Sequence, residues 1–131
     1  MKLLLDTHVW LWLNLEPSRL PPHCASAIAD PDNELVVSVA CVWEVSIKER
    51  LGKLTLGVPF AEFLSRALAG SHLLDITRPH VERLHQLPAH HRDPFDRMIV
   101  AQALVEEYAL ATVDPVLAAY GVAILSAPAP R

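Results

Sequence analysis

Short apolar runs alternate with longer stretches of helical character along the chain, and this alternation restricts the fold more than any other feature. Lys2–Leu5 is apolar after its first residue, and Glu34–Ser38 carries β-branched residues in its middle. Runs of this kind are typical of parallel strands that are buried on both faces. Parallel strands need long crossover connections, commonly helices, and the stretches between the runs are long enough to supply them.

Proline, glycine and the apolar spacing divide the chain into predicted elements. The predicted strands are Lys2–Leu5, Glu34–Ser38, 72–76, 109–113 and 122–125. The predicted helices are 7–13, 23–29, 39–51, 60–68, 77–87, 94–108 and 116–120, with a turn or loop at 17–22. Gly52 follows the third predicted helix and is expected to end it as a C-terminal cap.

Strands that alternate with helices predict the α/β class. We expect a three-layer α/β/α sandwich with a mainly parallel sheet and helices on both faces. The 131 residues contain no internal repeat and no long linker, so we expect one domain spanning 1–131, with a flexible tail at about 126–131. A hydrophobic content of 52% predicts a well-covered interior rather than disorder.

The net charge and the lengths of the apolar runs indicate which classes of protein and which cellular location to expect. A formal net charge of −4 argues against a protein that grips nucleic acid by bulk attraction, but not against an enzyme whose acids hold cations. No apolar run is long enough for a membrane span, and Asp6 ends the apolar start too early for a signal peptide. Cys24 and Cys41 have no metal-like spacing and are expected to be buried and reduced. We therefore expect a cytoplasmic protein.

Acidic residues stand at the ends of predicted strands or in the helices that follow them. Asp6 ends the first strand, Asp114 follows the fourth, and Glu44 lies in the helix after the second. In open α/β sheets, ligands bind in the crevice at the carboxyl ends of the strands. These acids are therefore candidates for one shared site.

Asp93 and Asp96 begin the helix at 94–108 and are three residues apart, so both can lie on one helix face. A purely structural interpretation is equally open at this level. Asp93 suits the N-cap and Asp96 the positive end of the helix dipole, and Asp6 can cap its own helix. Glu44, taken alone, is typical of an exposed helix residue paired with Lys48.

Several converging carboxylates would repel one another and raise their pKa values unless cations compensate. Oxygen-only ligands favour Mg²⁺ or Mn²⁺, and these ions commonly serve phosphoryl chemistry by activating water. His90 and His91 are adjacent and do not share a helix face, so we interpret them as loop residues that approach a phosphate when charged.

Motifs of competing enzyme classes are missing from the sequence. It contains no GxxxxGK[ST], GxGxxG, HExxH or GxSxG. A haloacid-dehalogenase-like phosphatase would need a second aspartate two residues after the first, and His8 stands there.

Six blocks occur in one order along almost the whole chain. They are 4–8 (LLDTH), 38–48 (SVACVWEVSIK), 52–54 (GKL), 91–97 (HRDPFDR), 112–114 (TVD) and 120–122 (YGV). In these blocks the chain resembles PIN-domain ribonucleases, specifically the VapC-like toxins of toxin–antitoxin pairs. The resemblance implies an RNA substrate, cleavage that leaves 5′-phosphate and 3′-hydroxyl ends, a homodimer, and an antitoxin whose C-terminal segment covers the active-site groove.

The resemblance also assigns roles to residues. The metal-binding and catalytic acids that it implies are Asp6, Glu44, Asp96 and Asp114. They would hold one or two Mg²⁺ or Mn²⁺ ions, with Asp93 beside them as a helix cap, and Thr112 matches the hydroxyl residue placed two before the last acid. Basic residues near two of the blocks are candidates for steering the RNA backbone: Lys48, Arg50, Lys53, Arg92 and Arg97.

Two alternatives belong to other functional classes. A receiver-like signalling domain also gathers acids around Mg²⁺, but paired acids after the first strand and a lysine after the last are not evident here. A PIN-like module that only binds RNA or protein would be expected to lack some of the acids, and the set here is complete.

Overall fold

Four strands and six α-helices make up the part of the chain that the computed structural model describes, residues 1–125. The strands are β1 (Lys2–Leu5), β2 (Glu34–Ser38), β3 (His72–Leu74) and β4 (Ala109–Ala111). The helices are α1 (Thr7–Leu15), α2 (Pro22–Ala29), α3 (Val39–Arg50), α4 (Phe60–Ala67), α5 (Arg78–Gln86) and α6 (Pro94–Glu106). Two 3₁₀ helices lie at Pro17–Arg19 and Pro115–Tyr120.

The sheet is parallel throughout, in the order β3-β2-β1-β4. The chain moves outward from β1 through β2 to β3, then crosses back to place β4 on the other side of β1. The carboxyl ends of β1 and β4 therefore flank the point where the strand order reverses. A crevice forms at such a switch point in open α/β sheets.

Helices cover both faces of the sheet. The helices also pack against one another: α5 packs against α6, and α3 contacts α6, where the rings of Trp43 and Phe95 lie 5.0 Å apart. Trp10 of α1 packs against Phe63 of α4, with ring centroids 5.6 Å apart, and His80 of α5 is fully buried against α6. The side chains of β1 from Leu3 to Leu5 are completely buried, as expected for a sheet covered on both sides. The predicted α/β class and parallel sheet are confirmed.

Local sequence explains where the main helices begin. Asp6, Ser38 and Asp93 cap α1, α3 and α6 with their side chains, and each accepts a hydrogen bond from an N–H in the first turn. Gly52 lies just beyond α3 with φ +72°, a left-handed conformation that favours glycine. The predicted cap at Gly52 thus marks the end of α3, although the capping position itself is Leu51.

Some predicted bounds are wrong. The segment 122–125, predicted as a fifth strand, makes one parallel bridge, between Ile124 and Leu110. The strands predicted at 72–76 and 109–113 stop at Leu74 and Ala111. Beyond these points side chains replace the strand ladder: Gln102 donates to the Asp75 carbonyl, and the Thr112 hydroxyl accepts from the Asp114 N–H.

Smaller corrections concern the connections. The predicted loop at 17–22 contains a 3₁₀ turn and the first residue of α2, and the helix predicted at 116–120 is a 3₁₀ helix. Cys24 and Cys41 are free and buried, as predicted. Among residues 1–125, no helix combines the length and apolar character that a bilayer crossing requires. The predicted tail at about 126–131 lies outside the described residues.

Candidate metal centre

Asp6 lies at the switch point of the sheet and is almost fully buried. Its N–H donates to the Ala111 carbonyl at 3.0 Å, which fixes its backbone against β4. Its two carboxylate oxygens have different partners. Oδ1 accepts the Val9 N–H at 2.8 Å as the cap of α1, and Oδ2 accepts the hydroxyl of Thr112. Burial raises the pKa of Asp6, and the nearby charge of Asp114 raises it further, while the Thr112 and Val9 hydrogen bonds act against the rise.

Glu44 is the second buried acid, with 2% of the residue exposed. The hydroxyl of Thr7 donates to its Oε1 at 2.7 Å, and the ammonium of Lys48 lies 2.7 Å from its Oε2. An exposed helix residue was one interpretation of Glu44, and its burial contradicts that interpretation, although the pairing with Lys48 is present. Cys41 lies on the same side of α3, where burial raises its thiol pKa to about 12.

Asp93 and Asp96 have different structural roles at the start of α6. Asp93 Oδ1 accepts the N–H groups of Phe95 at 2.8 Å and Asp96 at 3.3 Å, so the predicted capping role is confirmed. Asp96 directs its carboxylate toward the other acids. Burial raises the pKa of Asp96 to about 7, and the negative charges of Asp93, Asp6 and Glu44 contribute to the rise.

Asp114 and His91 complete the cluster. The His91 Nδ1 accepts the Asp93 N–H at 3.0 Å, so the ring proton lies on Nε2. Nε2 is 2.9 Å from Oδ2 of Asp114 and 3.5 Å from Oδ2 of Asp96. Asp114 also caps the second 3₁₀ helix by accepting the Val116 N–H at 3.0 Å. Tyr120 anchors the His91 backbone by accepting its N–H at 2.7 Å.

Contacts and charge effects therefore connect the four acids that the sequence predicts as site residues. Thr112 links Asp6 to the Asp114 backbone, His91 links Asp114 to Asp96, and the charge of Glu44 reaches Asp96. Their role as metal ligands stays a prediction. The exposed acids of the turn at 30–32 lie outside the cluster.

Sequence reasoning missed two members of the cluster. His91 was interpreted only as a loop residue near a phosphate, because no spacing relates it to the acids. Thr7 was not singled out, although it directly follows Asp6 at the end of a strand, where the first residue of a helix can face the crevice.

The donor chemistry fits a divalent cation. One ligand atom from each of His91, Asp96 and Asp114 lies within 4.8 Å of the others, and imidazole nitrogen and carboxylate oxygens are ligands that divalent cations accept. Asp6 and Glu44 lie outside this group of three, but their negative charges reach Asp96 and add to the rise in its pKa that burial mainly causes. A bound cation would remove that repulsion.

A groove runs beside the cluster and has a volume of about 360 Å³. Its walls come from α3, the residues just after α3 and the segment that begins α6, and most of them are basic or apolar. The lining residues are Glu44, Ile47, Lys48, Leu51, Lys53, Arg92, Asp93, Pro94 and Phe95. The groove therefore combines cationic side chains with direct access to one of the buried acids.

Solved structures with the same fold come from three bacteria. VapBC2 from Rickettsia felis, bound to a DNA fragment from its promoter, contains a chain that superposes with a TM-score of 0.74 at 15% identity, covering 96% of this chain and 98% of that one. FitAcB from Neisseria gonorrhoeae gives 0.64 at 23% identity, covering 95% and 96%. A toxin–antitoxin complex from Klebsiella pneumoniae gives 0.56 at 19% identity, covering 85% of each chain.

Sequence similarity is more specific than shared fold. Ribonuclease VapC22 of Mycobacterium tuberculosis is 30% identical over 112 residues, which cover 85% of each protein. Residues 3–123 match the family model described as PIN domain, and this stretch contains the whole acidic cluster. The chain therefore belongs to the PIN-domain family and is similar within it to a VapC ribonuclease.

Proposed function

We propose that this chain is a metal-dependent endoribonuclease that hydrolyses RNA phosphodiesters as the toxin of a toxin–antitoxin pair. The observation that carries the proposal is the convergence of acids from four separate segments at the switch point of a parallel sheet. Similarity to a ribonuclease over 85% of the chain supports the substrate class.

The proposed ligands of Mg²⁺ or Mn²⁺ are Asp6, Glu44, Asp96 and Asp114. When bound, such a cation supplies Lewis-acid activation of water and neutralises charge that develops on the phosphodiester. The chain itself holds the carboxylates in fixed positions before a cation binds. Thr112 fixes one oxygen of Asp6 and Thr7 fixes one oxygen of Glu44, so neither carboxylate has to be ordered during the reaction.

The RNA backbone would lie in the groove beside the cluster. Lys48, Lys53 and Arg92 line this groove and offer positive charge to phosphates, despite the acidic balance of the whole chain. We propose cytoplasmic RNA as the substrate pool, in keeping with the similarity to a ribonuclease.

Protein partners are part of the same proposal. Trp43 is 58% exposed and follows the spacing i, i+4, i+8 with Ile47 and Leu51, which are also exposed. Such a stripe on α3 gives a protein partner an apolar surface next to the site. A cognate antitoxin and a second copy of the chain are the proposed partners, and the structural neighbours include toxin–antitoxin complexes. Light scattering of the purified chain, alone and with the co-expressed antitoxin, tests both.

Cleavage of a mixed RNA pool tests the enzymatic proposal. We expect cutting with Mg²⁺ or Mn²⁺, loss of cutting with EDTA, and a loss of about a hundredfold or more in Asp6→Asn and Asp96→Asn. Asp32→Asn is the matched control, because it removes one exposed carboxylate away from the cluster. Cutting that persists in EDTA or in both site variants would refute the metal nuclease. A folded wild type that binds RNA without cutting it would support the catalytically inactive binding module instead.

A further inference from the structure

Both carboxylate oxygens of Glu44 are already occupied. The Thr7 hydroxyl donates a hydrogen bond to Oε1 at 2.7 Å, and the Lys48 ammonium forms an ion pair with Oε2 at the same distance. The Glu44 side chain is 3% exposed, whereas that of Lys48 is 35% exposed. In the metal-free protein, a proposed metal ligand therefore already has a protein cation on one of its two oxygens.

Of the two partners of Glu44, Lys48 is the one that can move away from the carboxylate. Thr7 is buried at the start of α1, while Lys48 lies one turn after Glu44 on the same face of α3, is partly exposed, and borders two grooves. The first groove contains Lys53 and Arg92, and the second lies between α1 and the segment after α3. A lysine has a flexible four-carbon stem and a strongly hydrated ammonium, so it can exchange a carboxylate for water at low cost.

The crowding of acids explains why a cation is needed here. Glu44 lies close enough to Asp96 for its charge to raise the pKa of Asp96. Without Lys48, the buried Glu44 carboxylate would lie near the charge of Asp96 and lose the cation that contacts it, which is strongly unfavourable. The ion pair has one member in the cluster and one in the solvent-facing groove.

We infer that Lys48 is a resident counter-ion that holds the place of the divalent cation on Glu44 and is displaced into the groove when the cation binds. The inference rests on the proposed metal centre. Lys48 is a positioning residue that acts through Glu44: it keeps the metal-free site folded and, by the same contact, competes with the metal. Once released, its ammonium lies in the groove proposed for the RNA backbone.

This competition predicts effects of opposite sign in Lys48→Met, which keeps the apolar stem and removes the charge. Its metal-free form should unfold at a lower urea concentration than wild type, because Glu44 loses its partner. Its affinity for Mn²⁺ should rise about tenfold, because the ion no longer displaces a cation or meets its repulsion. An ion pair that only stabilised the fold would lower stability without tightening metal binding.

Titration calorimetry with Mn²⁺ alone measures the affinity. Lys48→Arg keeps the charge and should bind within about twofold of wild type. Lys53→Met is the matched control, because Lys53 borders the same two grooves and makes no ion pair with Glu44 within residues 1–125. It should also stay within about twofold, since it removes the same charge at greater distance from the carboxylate. Mn²⁺ binding to Lys48→Met that is equal to or weaker than wild type would overturn the inference.

The lysine ammonium signals provide a second measurement, made on the wild-type protein, in which only the assignment uses the conservative variant Lys48→Arg. Held against Glu44, the Lys48 ammonium should exchange protons slowly enough to give a ¹H–¹⁵N signal, assigned by its absence in Lys48→Arg. Saturating Mg²⁺ should abolish that signal. A Lys48 signal that persists unchanged in a Mg²⁺-saturated protein would overturn the inference. Wild type that binds neither ion refutes the proposed metal centre itself, so the two failures are distinguishable.

Discussion

Replacing Asp96 by asparagine should make the metal-free protein more stable while removing its metal response. The carboxyl of Asp96 has a pKa of about 7 in the folded chain, against an ordinary value of 3.8. Between these two values the unfolded chain binds fewer protons at Asp96 than the folded chain does. The free energy of unfolding therefore falls as pH rises through this window, and above about pH 7 the loss is complete.

The magnitude follows from the same two values. One pKa unit corresponds to about 1.4 kcal/mol, so the ionised Asp96 costs the metal-free fold up to about 4 kcal/mol at pH 8. Relaxation around the charge reduces this, and we expect Asp96→Asn to be more stable than wild type by about 2 to 4 kcal/mol at pH 8. At pH 4.5, close to the ordinary value, the difference should be at most about 1 kcal/mol.

Urea unfolding of both proteins in EDTA, at pH 4.5 and pH 8, measures the two differences. Other acids titrate in both proteins, so their effects cancel in the comparison. Asp32→Asn serves as the control and should follow wild type at both pH values, because Asp32 is exposed in a turn. Addition of Mg²⁺ at pH 8 should stabilise wild type and leave Asp96→Asn unchanged. A variant that is less stable than wild type at pH 8, or a difference that does not change with pH, would refute the reasoning.

Substitutions at three further positions separate positioning, capping and packing. Thr112→Val removes the hydroxyl donor to Asp6 and should cost about 1 to 3 kcal/mol of unfolding free energy and about tenfold in Mn²⁺ affinity, whereas Thr112→Ser should retain both. Asp93→Ala removes the cap of α6 and should lower the free energy of unfolding by about 1 kcal/mol, whereas Asp93→Ser keeps a capping oxygen and should lower it very little. Both variants should bind Mn²⁺ within about threefold of wild type. Loss of Mn²⁺ binding in Asp93→Ser would instead make Asp93 a metal ligand. His80→Leu should lose about 2 kcal/mol in urea unfolding, because His80 is fully buried and bonds the Thr77 N–H and Glu106; an unchanged midpoint would contradict this.

The fold could be predicted where local signals and burial agree. Lys2–Leu5 and Glu34–Ser38 were predicted with their observed bounds, since both runs are mainly apolar and a capping residue marks where each one stops. Asp6 follows the first run and caps α1, and Ser38 is the last residue of the second run and caps α3. The ends of β3 and β4 could not be predicted in this way. Beyond β3, Gln102 donates to the Asp75 carbonyl from 27 residues away, and local sequence does not identify such a partner. Beyond β4, the Thr112 hydroxyl accepts the Asp114 N–H in a local turn, and such turns compete with strand pairing.

The sequence could predict which acids belong to the cluster, but not which residues each acid contacts. Strand ends and helix starts indicate which acids can reach the crevice, and the family blocks select among them. The pairing of His91 with Asp114 spans 23 residues, and that of Thr7 with Glu44 spans 37. No spacing rule links residues so far apart, so only the folded chain reveals how the acids are held.

The structural and functional interpretations of Asp6 and Asp114 are compatible, because each uses one carboxylate oxygen to cap a helix and has the other directed to the cluster. Asp6 gives one oxygen to the first turn of α1, and Asp114 gives one to the 3₁₀ helix that follows it. Backbone N–H groups thus stabilise part of each charge before any cation arrives. Asp96 differs: within residues 1–125 its carboxylate accepts no backbone hydrogen bond, and its Oδ2 lies 3.5 Å from Nε2 of His91. Burial and the charges of the neighbouring acids raise its pKa, so Asp96 is the acid whose ionised form would gain most from a bound cation.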